Sequence, residues 1–351
     1  MEAVALIVEY NPLHNGHVHH LAEAKKIFPN AVIIAILNGD FLQRGEPALL
    51  SKYERTRLAL LAGVDLVLEL PFAYGTQRAD IFARGAITIA RGFAAHAFVY
   101  GTERLATDDT PLDALGPNEK LAYFYKRIAQ EPGRTITPIA ITRMKAPYNA
   151  TTITDAHFAS ASALRTKILH DDFTDLQHYV PRYVLDTIEK NRRHFADISN
   201  YFPYLQYTLT RTQCPHTALA QFGLAESIDK ALTMAATFDE FFAHVHHKHT
   251  SKTHIKRTLT YRLTNTKQLA LDAAIQTPWT RVLGASLQGK KYLKYLKVSE
   301  QLNIQLIAKI NDLPKPHYNL QYNSLIAYAQ LSHTAINTAL TRENSNNIIQ
   351  L

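Results

Sequence analysis

The 351 residues include 38 Lys/Arg against 30 Asp/Glu, a formal net charge of +8, and 46% are hydrophobic, which supplies a substantial core for a chain long for one domain. A single cysteine, Cys214, excludes an internal disulfide and reads as a small apolar residue. No basic leader and no apolar run of about eighteen residues is present, so a soluble cytoplasmic protein without membrane contact is expected.

Ala3–Val8 is a continuous apolar run, the pattern of a strand buried on both faces of a parallel sheet, and Pro12 ends it. Val18, Leu21, Ala22 and the stretch Ala24 to Lys26 read as a helix. His14 to His17 therefore fall at or just before its first turn, where free backbone N–H groups and the positive dipole end favour an anion. Gly16 lets backbone approach a ligand closely, and two imidazoles offer hydrogen bonds or positive charge to phosphate oxygens. On these residues alone, a plain cap-and-turn role stays open.

Ala31–Leu37 is a second strand, Ser51–Ala62 a helix with Ser51 as N-cap, and Asp65–Leu70 a third strand. Gln77–Arg91 is an amphipathic helix, and Ala97–Tyr100 a fourth strand ending in Gly101. This βαβαβ series predicts an α/β fold, a doubly wound, Rossmann-like parallel sheet whose ligands bind beyond the carboxyl ends of the strands. Asn11, Asn38–Gly39–Asp40 and Gly101–Thr102–Glu103 all follow strand ends and are expected at one rim.

Thr107–Pro117 reads as an exposed loop, and Asp108–Asp109 and Asp171–Asp172 as loop or capping acids. In Ser160–Arg165, hydroxyls at a helix start and an arginine one turn later suit phosphates, or simply an N-capped surface helix. Val184–Phe195, Ala225–Val245 and Lys252–Leu263 look helical, broken by Pro181, Pro203, Pro215 and Pro278. The expected division is a nucleotide-binding domain over 1–169 and a mainly helical, basic domain over 170–351.

Charge is uneven: residues 1–110 hold ten Lys/Arg against twelve Asp/Glu, and the remainder 28 against 18. The densest stretch runs through His244, His246, His247, Lys248, His249, Lys252, His254, Lys256, Arg257 and Arg262, with Arg281, Lys290, Lys291, Lys294 and Lys297 beyond. Such an excess suits a polyphosphate backbone, and RNA contact is expected there. The histidines lack a nearby Cys or carboxylate to complete a metal set, so no protein metal site is expected. Gly284–Lys291 approaches a P-loop, but Lys291 stands where a hydroxyl would meet magnesium.

The His14-Asn15-Gly16-His17 turn after a first strand, with Ser160-Ala161-Ser162-Ala163-Leu164-Arg165, resembles the His-x-Gly-His nucleotidyltransferase superfamily. The segments Gly39–Pro47, Ser51-Lys52-Tyr53, Gly63–Pro71, Ala79–Gly85, Pro117-Asn118, Arg281–Gly284 and Gly289-Lys290 narrow this to the bacterial tRNA(Met) cytidine acetate ligases. In that family Asn often follows Pro-Asn, where this chain has Glu119. The resemblance implies ATP as co-substrate, magnesium with the triphosphate, and acetate and elongator tRNA(Met) as partners. Acetate would be activated as acetyl-adenylate and transferred to the wobble cytidine, forming N4-acetylcytidine. It implies catalysis by His14 and His17, with nucleotide contacts along Ile7, Val8, Glu9, Tyr10, Asn11, Pro12, Leu13, His14, Asn15, Gly16, His17, Val18, His19 and His20, and at Gly101, Asn118 and Arg165. The Ile7–Asn11 strand end and Gly101 would face adenosine, and Arg165 the outer phosphates. Two other readings stand beside it: an adenylyltransferase acting on a mononucleotide or pantetheine phosphate, and a non-catalytic RNA-binding protein.

Overall fold

The computed structural model describes residues 1–103, 111–142, 157–211, 224–246, 250–345 and 347–351. Cys214, Pro215, residues 107–110 of the Thr107–Pro117 loop with Asp108–Asp109 among them, and His247–His249 lie outside the described residues.

The first half alternates as expected: β1 (Ala3–Val8), α1 (Asn15–Ile27), β2 (Val32–Asn38), α2 (Lys52–Leu61), β3 (Leu66–Leu70), a short α3 (Phe72–Gly75), α4 (Ala79–Gly92), β4 (Ala97–Thr102), α5 (Pro117–Ala129), β5 (Thr137–Thr142) and α6 (Ala161–Leu169). Five parallel strands stand in the order β5-β4-β1-β2-β3, so the order reverses between β1 and β4, and that reversal opens a crevice at the strands' carboxyl ends. The apolar runs are continuous because both faces are covered. Val4, Leu6, Ile33, Ala35 and Leu37 enter one core with helices α1, α2 and α6, while Ala3, Ala5, Val32, Ile34 and Ile36 enter another with α4 and α5.

The second half is mainly helical: α7 (Arg182–Lys190), α8 (Tyr201–Arg211), α9 (Leu224–Met234), α10 (Phe238–Val245), α11 (Lys252–Leu263), α12 (Gln268–Ala274), then β6 (Trp279–Thr280), β7 (Val282–Ala285), α13 (Leu287–Val298), β8 (Gln305–Leu306), α14 (His317–Leu331), α15 (Ile336–Glu343) and β9 (Ile349–Gln350). The stretch expected as one helix over Ala225–Val245 divides, because Thr237 caps α10 by accepting the Glu240 N–H at 3.2 Å. β7 pairs antiparallel with β3, and β9 follows it, so the chain's end extends the first half's sheet to seven strands. A third core, containing Tyr201, Phe241, Leu259 and Tyr328, gathers α8–α12 and α14 against Phe41 and Phe72.

Candidate active site at the carboxyl ends of the first and fourth strands

Beyond the ends of β1 and β4 lies a cavity of about 280 Å3 onto which three helix N-termini open: α1 through His14, Gly16 and His17, α6 through Ser160 to Ser162, and α5 through Pro117 and Asn118. Three helix N-termini turned toward one space bring their positive dipole ends together there, which favours an anion. Of the residues expected there, Ile7, Val8, Glu9, Tyr10, Asn11, His14, Gly16, His17, His19, His20, Gly101, Asn118 and Arg165 line it. Pro12, Leu13, Asn15 and Val18 do not. Leu13 is in the core beneath with Val18 packed against it, and the Asn15 amide donates to the carbonyls of His157 at 3.1 Å and His178 at 2.8 Å.

His14 is the N-cap of α1. Its Nδ1 accepts the Gly16 N–H at 3.0 Å, and His17 Nδ1 accepts the His14 N–H at 3.4 Å. A ring nitrogen that accepts carries no proton, so this pattern assigns the hydrogen of each neutral imidazole to Nε2. The rings stack with centroids 3.8 Å apart, and Tyr10 meets His17 edge-on at 5.1 Å. The motif thus presents two side-by-side Nε2–H donors. Asn11 adds a third group: its Oδ1 accepts from Leu49 N at 2.8 Å, while its buried Nδ2 has no hydrogen-bond partner among the described residues.

Arg165 reaches back over the cavity, donating to the Asn11 carbonyl at 2.9 Å and to Ser162 Oγ at 3.3 Å, and lies 3.4 Å from Glu46 Oε2. Lys256, from α11, binds the other oxygen of Glu46. Burial alone would raise the Glu46 carboxyl, but Arg165 and Lys256 outweigh it and hold it below the usual carboxylate range. Glu9 goes the other way: desolvation raises it against the Gln43 N–H, which it accepts at 3.0 Å, and against Arg44, Arg165 and Arg55.

The loop supplying Leu42, Gln43, Arg44 and Glu46 to the cavity is pinned to α11. Gly45 has φ +74°, a Cβ there would stand 2.4 Å from Arg257 N, and its carbonyl accepts from Thr260 Oγ1 at 2.8 Å. Asn118 and Glu119 divide their work. Asn118 lines the cavity and donates to Glu103 Oε1 at 2.8 Å, whereas Glu119 accepts the Gly116 N–H at 2.6 Å and serves as a helix cap.

Other motif segments form a buried charge network instead. Lys52 Nζ lies 2.9 Å from Glu69 and 2.6 Å from Glu343, and Arg281 Nε donates to Glu69 Oε2 at 2.5 Å while binding the Glu343 carboxylate. Arg55 donates to the carbonyls of Glu9 at 2.9 Å, Asn38 at 3.0 Å and Gly39 at 2.5 Å, tying the ends of β1 and β2 together.

The expectation that the whole basic stretch faces RNA is therefore corrected. Arg281 is consumed by this network, and Arg262 is buried on the Asp229 carboxylate. Lys290, Lys291, Lys294 and Lys297 are exposed on α13, but α13 starts where Ser286 N binds the Asp65 carbonyl at 2.8 Å, before β3, and Tyr292 Oη donates to Phe93 O at 2.7 Å, after α4. Both contacts lie at the amino ends of the strands, opposite the cavity. Gly284–Lys291 likewise forms β7 and the start of α13, with Gly289 so close to Asp65 that a Cβ would stand 2.0 Å from its carbonyl oxygen. Among the described residues, no three of His, Cys, Asp or Glu gather as a metal ion requires, and no helix is long and apolar enough to cross a membrane.

A protein-family model described as HIGH Nucleotidyl Transferase matches residues 1–114 and 106–347. Similar proteins include the tRNA(Met) cytidine acetate ligase of Geobacillus sp. (strain WCH70), 30% identical with 98% of each chain covered. The protein of the same name from Lactiplantibacillus plantarum is 33% identical, covering 92% of this chain and 93% of that one. Among solved structures, apo Thermotoga maritima TmcAL superposes with a TM-score of 0.88 at 20% identity, and its complex with alpha-thio ATP with 0.84 at 19%, each covering both chains completely. At that identity the likeness establishes the fold.

Proposed function

This chain belongs to the HIGH nucleotidyl transferase family and, within it, to the ATP-dependent tRNA(Met) cytidine acetate ligases, and from that premise we propose how its residues carry the reaction. Acetate attacks the α-phosphorus of ATP, forming acetyl-adenylate and releasing pyrophosphate. The exocyclic amine of the wobble cytidine then attacks the acetyl carbonyl, leaving N4-acetylcytidine and AMP.

Acetate is already an anion, so the first step needs no general base. The chain must align the reactants and stabilise charge gathering on the α-phosphoryl oxygens. His14 and His17 do so through their paired Nε2–H donors, which the backbone of α1 orients by holding each Nδ1. The N-terminus of α6 and Arg165 take the outer phosphates, and Ile7 to Asn11, Gly101 and Asn118 hold the adenosine side. The carboxylates lining the cavity, Glu9 and Glu46, are committed to Gln43 and to Arg165 with Lys256. Magnesium would neutralise charge on the triphosphate when bound, held by phosphate oxygens and water and not by a protein cage.

We place the nucleotide chemistry in residues 1–169 and tRNA contact in residues 170–351, where the positive excess lies, with a cytoplasmic location shared with tRNA. An unpaired anticodon base can be splayed out and presented to the cavity. The observation that carries this reading is the meeting of His14, His17, Arg165 and three helix N-termini in one cavity at the β1/β4 reversal. Incubation with ATP, acetate and hydroxylamine tests it. Acetohydroxamate is expected; pyrophosphate release with another small substrate and no acetohydroxamate would favour the small-molecule adenylyltransferase instead.

A further inference from the structure

Glu46 sits between two cations from distant parts of the chain, Arg165 on Oε2 at 3.4 Å and Lys256 on Oε1. The three side chains are only 19–24% exposed. Removing charges from water is costly, so a half-buried lysine needs a reason to point inward. Lys252, one turn earlier on α11, is exposed to solvent, whereas Lys256 turns toward a carboxylate that lines the nucleotide cavity. Contact between α11 and the loop does not require this: Thr260 and the close approach of Gly45 already join them.

Two cations against one carboxylate leave a net positive charge at Glu46, which lines the cavity with Arg165, Arg44 and a second carboxylate, Glu9, while Lys256 stands outside the lining and reaches it through Glu46. Each cation meets its own oxygen of Glu46, an arrangement that two oxygens of one phosphate group could replace.

We propose that Lys256 is a second binding residue for the outer phosphates of ATP, held ready with Arg165 by Glu46, which gives up both cations when the triphosphate arrives. This rests on the ATP reading above. The nucleotide site is then completed by a helix of the second half, so ATP occupancy is felt by α11 and by the elements packed on it.

Calorimetric titration with ATP in the absence of acetate, and in parallel with AMP, tests the proposal. Lys256→Met is expected to weaken ATP binding about ten- to a hundredfold, the effect of losing a charge-assisted hydrogen bond, and to leave AMP binding unchanged. Lys256→Arg should restore most of the loss. Glu46→Gln, which removes the competing anion, should tighten ATP binding several-fold, and it decides the matter if Lys256→Met fails to fold. ATP binding by Lys256→Met equal to wild type, or equal weakening for AMP and ATP, would overturn the role of Lys256, as would weaker ATP binding by Glu46→Gln. A wild-type protein that binds no ATP would instead sink the ATP reading itself.

Discussion

Replacing Arg281 by Met removes the cation shared by two buried carboxylates. Arg281 Nε holds Glu69 at 2.5 Å, one Nη binds the Glu343 carboxylate and the other its carbonyl at 3.2 Å. The variant leaves Glu69 and Glu343 to share Lys52, with Gln321 adding one bond to Glu69 at 3.1 Å. Losing one partner of a buried ion pair costs about 3–5 kcal/mol, because an uncompensated charge stays buried. Burial would raise the Glu343 carboxyl, yet Arg281 and then Lys52 bring it down to about 2 from 4.5. A carboxyl depressed in the folded state contributes stability that is complete above its unfolded value and lost as pH falls toward its folded one. Wild-type stability should therefore decline between pH 4.5 and about 2 as Glu343 takes up a proton. In Arg281→Met the same carboxyl protonates at higher pH, which relieves the unpaired charge, so the gap to wild type narrows on acidification. Urea unfolding followed by circular dichroism at neutral pH and near pH 4 measures both effects. A loss below about 1 kcal/mol at neutral pH, the range of an exposed pair, or a gap independent of pH, would refute the argument.

Three further outcomes are expected. His17→Ala should reduce acetyl-adenylate formation about 10²–10³-fold, as for loss of one preorganised donor to a transition-state oxygen, with ATP affinity changed far less; hydroxamate trapping and calorimetry measure the two separately. Gly45→Ala places a side chain at φ +74° against the Arg257 backbone, so the cavity loop must leave α11. ATP affinity and melting temperature should fall together, and an unchanged affinity would show the loop to be a bystander. Neutralising Lys294 and Lys297 on α13 should leave acetylation of tRNA and its salt dependence unchanged, because that helix lies opposite the cavity. A reduced salt slope in a binding titration would place RNA there after all.

The first four strands are legible because each is a continuous apolar run of strand length, set between turn residues and stretches of helical periodicity, whereas the four-residue α3 carries no such signal. β5 carries no such pattern, because it is a half-exposed edge strand with Pro138 at its second position. β7 and β9 have four and two residues, and their pairing with β3 and with one another is long-range, so local pattern carries no signal for them. The same rule divides the site. His14, Gly16 and His17 act within one turn and announce themselves, whereas Glu46 and Lys256 meet across 210 positions and need the fold to bring them together. Arg281 misled for the opposite reason: a cation in a basic run reads as exposed until its buried carboxylates appear.

In the proposed function, the cavity at His14 and His17 makes acetyl-adenylate and the acetyl group passes to a cytidine of tRNA(Met). The most direct measurement is a nucleoside mass spectrum of tRNA(Met) incubated with the protein, ATP and isotope-labelled acetate. Labelled N4-acetylcytidine is expected with wild type and should disappear with His17→Ala while tRNA affinity is retained. Unmodified cytidine with wild type would rule out that function, and undiminished product with His17→Ala would rule out the role given to His17.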